Sequence, residues 1–100
     1  MRRLVISVRA AADLREIWRH SFQTWGEAQA DRDLDELDAG LRKCLIEPEH
    51  GRRRDDVRPG CWSRLIRRHV AFNRSTDREV LVLRVLHGSM DPDVHLDEAP

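Results

Sequence analysis

The chain has no tyrosine, one lysine (Lys43), two cysteines, and aromatic side chains at only 5% of its 100 positions. Cys44 and Cys61 lack a CxxC spacing, which argues against a disulfide framework or a zinc site and for two reduced thiols. No apolar run approaches the roughly 20 residues of a membrane helix. The opening "MRRLVISVRA" turns polar too soon for a secretion signal. These absences lead us to expect a cytoplasmic protein with no metal, no cofactor and no membrane association. Repeats and low-complexity segments are also missing. What remains is 40% apolar and 36% charged, the balance of one small globular domain over residues 1–100, with 91–100 as a polar tail.

The scarcity of lysine leaves the positive charge to arginine. The formal net charge is zero, yet residues 52–84 hold ten arginines against four acids. The balancing carboxylates crowd into "EAQADRDLDELD" and "MDPDVHLDEAP". A guanidinium is always charged and grips carboxylate or phosphate through paired hydrogen bonds. The segment therefore reads either as a recognition surface or as a solvated face whose arginines pair with neighbouring acids.

"RLVISV" (3–8) is β-branched and reads as a strand. Ser7 is placed to cap a following helix in which Ala10, Leu14, Ile17, Trp18, Phe22 and Trp25 recur at intervals of three and four. Gly26 ends it, and a second helix spans about 27–46 with Ala30, Leu34, Leu37, Leu41, Cys44 and Leu45 on one side. The short break predicts an antiparallel helical hairpin. After Pro48, "PEHGRRRDDVRPG" reads as a polar loop, followed by three strands, "CWSRLI", "HVAFNR" and "EVLVLRVL". The expected fold is α+β: strand, helical hairpin, then a curved antiparallel sheet (β-α-α-β-β-β).

"VLVLRVLHGSMD" (80–91) poses the sharpest question, because Arg84 interrupts the most buried-looking strand and His87–Gly88 closes it. Arg84 suits either an ion pair with an acid such as Asp91 or a functional site. His87 suits a hydrogen-bonded strand end, and Gly88 a turn with positive φ.

"SVRAAADLREIW", "GEAQADRDLDELDAGL", "RPGCWSRLIRRHVAFNR" and "VLVLRVLHGSMD", in this order and spacing, resemble the ParE toxins of the RelE/ParE superfamily of toxin–antitoxin systems. The resemblance implies a toxin that inhibits DNA gyrase by binding and is neutralised by a ParD antitoxin, in complexes that are commonly 2:2 or larger. It also implies that the antitoxin lays an amphipathic helix in an apolar groove, for which Trp18, Phe22, Leu37 and Leu41 are the candidates. Arg58, Arg64, Arg68, Arg84 and His87 are expected to form a basic ledge for antitoxin or target. Gly88, Ser89, Met90 and Asp91 would begin the inhibitory tail, whose acidity argues against direct, specific nucleic-acid binding by the toxin alone. The superfamily also implies an alternative, a RelE-like ribosome-dependent mRNA endoribonuclease. Phe72–Asn73–Arg74 stands where related sequences often read Phe-Tyr-Arg, and an amide is no general base near neutral pH. A second alternative is a degenerate toxin that only binds its antitoxin. Catalytic residues are therefore not assigned, and Cys44, Cys61 and His95 carry no readable role.

Overall fold

A computed structural model describes residues 2–88. Strand β1 (Arg3–Ile6) leads into helices α1 (Val8–Trp25) and α2 (Glu27–Ile46), followed by strands β2 (Arg52–Arg53), β3 (Trp62–Ile66), β4 (His69–Ser75) and β5 (Glu79–His87). The five strands form one sheet in the order β1-β5-β4-β3-β2. Pairing is antiparallel from β2 to β5, whereas β1 joins β5 in parallel. Two helices and three strands separate β1 from β5, a connection that allows either direction, so their polarity could not be read from the local pattern. The "GRRR" segment, expected as loop, supplies the short β2, which pairs Arg52 with Ser63 and Arg53 with Trp62.

Local signals account for the helical hairpin. Ser7 Oγ accepts from the Ala10 N–H at 3.0 Å and donates to the Leu83 carbonyl at 2.8 Å, so one hydroxyl caps α1 and ties it to β5. Gly26 joins the helices at φ 94°, ψ 176°, a conformation that side chains strongly disfavour, while its N–H closes α1 on Phe22. The inward faces of α1 and α2 then cover one face of the sheet. Ala10, Leu37, Leu41, Ile66, Ala71, Val82 and Val85 form that core, with Leu14 and Ile17 at its margin. A second apolar cluster, Cys61, Phe72, Leu83 and Leu86, lies with Val57, Val70 and Leu81.

The break in strand alternation at Arg84 is a β-bulge. Phe72 pairs with Arg84 and Asn73 with Val82, leaving Leu83 without a partner on β4. The extra residue shifts the face presented by the rest of β5, so that Val82 and Val85, three apart, both enter the helix-side core.

Gly51 precedes β2 at φ 115°, and a Cβ placed there would lie 2.3 Å from the Ser63 carbonyl oxygen. Backbone strain and a backbone clash thus act together. Gly51→Ala is expected to detach β2 and destabilise the fold by about 1–3 kcal/mol, measurable as a lower urea midpoint.

Candidate functional site

The residues expected to line an antitoxin groove divide between two sides of the hairpin. Trp18 and Leu41 share an apolar cavity of about 780 Å³ with Leu4, Ile6, Leu14 and Leu34, rimmed by charged residues including Arg15, Asp35 and Arg42. Phe22 extends it from outside, its ring stacked on Trp18 with centroids 5.1 Å apart. The Trp18 indole N–H donates to Asp31 Oδ1 at 3.0 Å, which holds the ring between the helices. Leu37 is not part of this groove: it is buried in the core and faces a different cleft, beside Ile66 and His69. The helical period places Leu34 and Leu14 on the apolar stripes, but only the outer position of β1 brings Leu4 and Ile6 beside them.

The five residues expected to form a basic ledge do not converge. Arg84 is almost enclosed, its Nε and Nη2 donating to the Asp13 carboxylate at 2.8 Å each, with side-chain exposures of 11% and 13%. The same carboxylate accepts the Val85 N–H at 2.9 Å. Arg84 is thus fastened to α1 at the bulge, and the interrupting charge in β5 is a fastening between sheet and helix. Arg64 is engaged elsewhere: it donates to the Glu47 carbonyl at 3.1 Å, satisfying the C-terminus of α2. Arg58 lies in the β2–β3 connection beside Cys61, whose thiol burial pushes up against the pull of Arg54, Arg58 and Arg74. Nearby arginines are engaged with local acids, Arg53 with Asp55 and Arg54 with Asp56. Pairing within the loop therefore absorbs part of the arginine excess.

Arg68 and His87 do come together. Arg68 lies in the β3–β4 turn, where Arg67 takes φ 59°, and His87 pairs with His69 across β4 and β5. The imidazoles meet edge to face with centroids 5.7 Å apart. Gly88 follows, its N–H donating to the Arg68 carbonyl at 3.0 Å; its φ is not positive, so no turn of that kind is made there. Ser89, Met90 and Asp91 lie outside the described residues. Asn73 is 1% exposed and donates to Cys44 Sγ at 3.6 Å, so its side chain points into the helix–sheet interface rather than toward a substrate. Burial pushes the Cys44 thiol up, against the pull of Arg64.

Burial, His87 and Arg68 hold the His69 pKa below the usual histidine value, with Asp33 opposing them. The folded state therefore binds this proton less readily than the unfolded chain does. The resulting stability is complete above about pH 6.5 and is lost as pH falls through the lower folded value. We expect His69→Gln to reduce the loss of stability between about pH 7 and pH 5, measured by urea denaturation across that range.

Among the described residues no group of three or more His, Cys, Asp or Glu could hold a metal ion, and no helix is long and apolar enough to cross a membrane.

Comparison with known proteins places this geometry. The family model for the ParE toxin of the type II toxin–antitoxin system parDE matches residues 4–92. Toxin ParE1 of Mycobacterium tuberculosis is 37% identical over 95 residues, covering 94% of this chain and 97% of the relative. Toxin ParE1 of Caulobacter vibrioides is 38% identical over 91 residues, covering 91% and 94%. Among solved structures, the chromosomal ParDE system from P. aeruginosa superposes with a TM-score of 0.77 at 22% identity, covering 87% of this chain and 96% of that one. A YoeB/ParE toxin from Agrobacterium tumefaciens gives 0.57 at 19% identity, covering 87% and 98%. With the family model spanning nearly all of the sequence, and two relatives above a third identical, the chain belongs to the ParE toxin family of type II toxin–antitoxin systems.

Proposed function

We propose that this toxin poisons DNA gyrase by binding it, without a reaction of its own, and that a ParD-type antitoxin neutralises it. The observation carrying the antitoxin half is the apolar groove at Leu14, Trp18, Leu34 and Leu41, whose apolar lining and charged rim suit an amphipathic helix. The gyrase half rests on family membership and on what the sheet offers for chemistry. RNA cleavage needs cations to hold a phosphate and groups to move a proton, yet Arg84 is committed to Asp13, Arg64 to the end of α2, and Asn73 is buried. The ribonuclease alternative retains one favourable observation, the His69–His87 pair beside Arg68.

Pulse labelling minutes after induction of the toxin alone decides between them. Thymidine incorporation is expected to fall before methionine incorporation, with DNA damage signalling rising, and antitoxin co-expression should prevent both. Methionine incorporation falling first would overturn the gyrase reading in favour of RNA cleavage. A soluble protein that leaves both unchanged would instead support a degenerate toxin that only binds its antitoxin.

A further inference from the structure

We propose that the cleft between the tip of the helical hairpin and the β3–β4 turn binds single-stranded nucleic acid without sequence preference, with Arg68 and Arg32 on phosphates and the Trp25 indole under a base. Two adjoining cavities, of about 480 and 490 Å³, share Trp25, Asp33, Arg68 and His69, and Arg32 lines the first.

The charges make the cleft receptive to an anion. Of its carboxylates, Glu36 is paired with Arg67 at 3.1 Å, Asp13 with Arg84 and Glu16 with Arg19, whereas Asp33 accepts from the neutral Ser21 at 2.6 Å and Gln29 at 2.7 Å and keeps its charge. Arg32 and Arg68 are exposed and have no carboxylate partner among the described residues. Among the described residues, the lining therefore sets the guanidinium groups of Arg32 and Arg68 against the one uncompensated carboxylate of Asp33, a net positive excess.

The aromatic component favours a nucleotide over an acidic peptide. Trp25 is 67% exposed and stacks on no other ring among the described residues, unlike Trp18. A bare indole beside guanidinium groups is the combination that grips single strands, because every base has a π face to stack while the cations follow the backbone. The proposal runs against the expectation drawn from the acidic tail, and it is independent of the gyrase reading.

The test is fluorescence anisotropy of fluorescein-labelled dT12 titrated with the isolated toxin, with tryptophan emission recorded in parallel. Saturable binding with quenching is expected. For two phosphate contacts on a single strand, affinity should fall about sevenfold between 50 and 200 mM salt. Trp25→Ala and Arg68→Glu should each weaken binding roughly tenfold or more, and Trp25→Ala should abolish most of the quenching. Arg78→Glu, on the distant β4–β5 turn, should change affinity far less and separates a local site from overall charge. Circular dichroism confirms that the exposed variants remain folded. Absence of saturable binding, affinity and quenching that survive the Trp25→Ala/Arg68→Glu double variant, or tighter binding of an acidic dodecapeptide at the same site would each overturn the proposal.

Discussion

Asp13→Ala is expected to leave most of the toxin unfolded in moderate urea, with a loss of about 3–5 kcal/mol. The substitution takes a charged acceptor from a guanidinium whose side chain is 11% exposed, and it also removes the acceptor for the Val85 N–H. Both groups lie where the bulge lets α1 meet β5, so solvent reaches them poorly. For a domain of 100 residues, with roughly 5–15 kcal/mol in total, such a loss is a large fraction of all stability. Arg84→Glu should be at least as damaging, because it sets a second carboxylate against Asp13. The double variant Asp13→Leu/Arg84→Met should recover much of the deficit, since removing both charges leaves neither stranded. Arg19→Ala provides the surface comparison: its pair with Glu16 spans 3.4 Å between largely exposed side chains and should change stability by less than about 1 kcal/mol. Urea denaturation of the four proteins checks the set. A single-variant loss no larger than that of Arg19→Ala would remove Arg84 from its place in the framework.

That result bears on how the sequence can be read. Helix periodicity, the Ser7 cap and the Gly26 break were visible because each is a local signal, and α2 spans Glu27–Ile46 as the apolar spacing predicts. The three long strands were legible for the same reason. Arg84 was misleading because its partner lies on α1: Asp13 is 71 residues away in sequence, and only the bulge aims the guanidinium at it. Grouping arginines by proximity along the chain likewise failed, because strand alternation and the intervening turns send Arg58, Arg64 and Arg84 to different surroundings. The Arg68–His87 meeting was legible in part, since Arg68 immediately precedes β4 and His87 ends β5, its hairpin partner. For the groove, the helical stripes identify Trp18 and Leu41, but not that β1 would lie at the sheet's outer edge and contribute Leu4 and Ile6.

The groove leads to the second large effect, on antitoxin affinity. Trp18→Ala and Leu34→Asp should each weaken antitoxin binding by about 2–4 kcal/mol, roughly 30- to 1,000-fold. Trp18 is stacked on Phe22 and hydrogen-bonded to Asp31 before any partner arrives, so little ordering cost remains when a helix docks on it. Truncation to alanine removes both the anchor and that preorganisation. Leu34→Asp acts differently, placing a carboxylate that must lose its water beneath an apolar helix face, on a helix already rich in acids at Asp31, Asp35 and Asp38. Leu37→Ala is the informative contrast. It faces the core and the other cleft, so it should cost about 2–5 kcal/mol in stability while leaving the affinity of the folded fraction nearly unchanged. Calorimetric titration with the antitoxin, beside denaturation of each variant, separates these effects. If Trp18→Ala and Leu34→Asp bind as wild type does while remaining folded, the antitoxin docks elsewhere. If Leu37→Ala alone loses affinity, the docking surface is the cleft on the far side of α2.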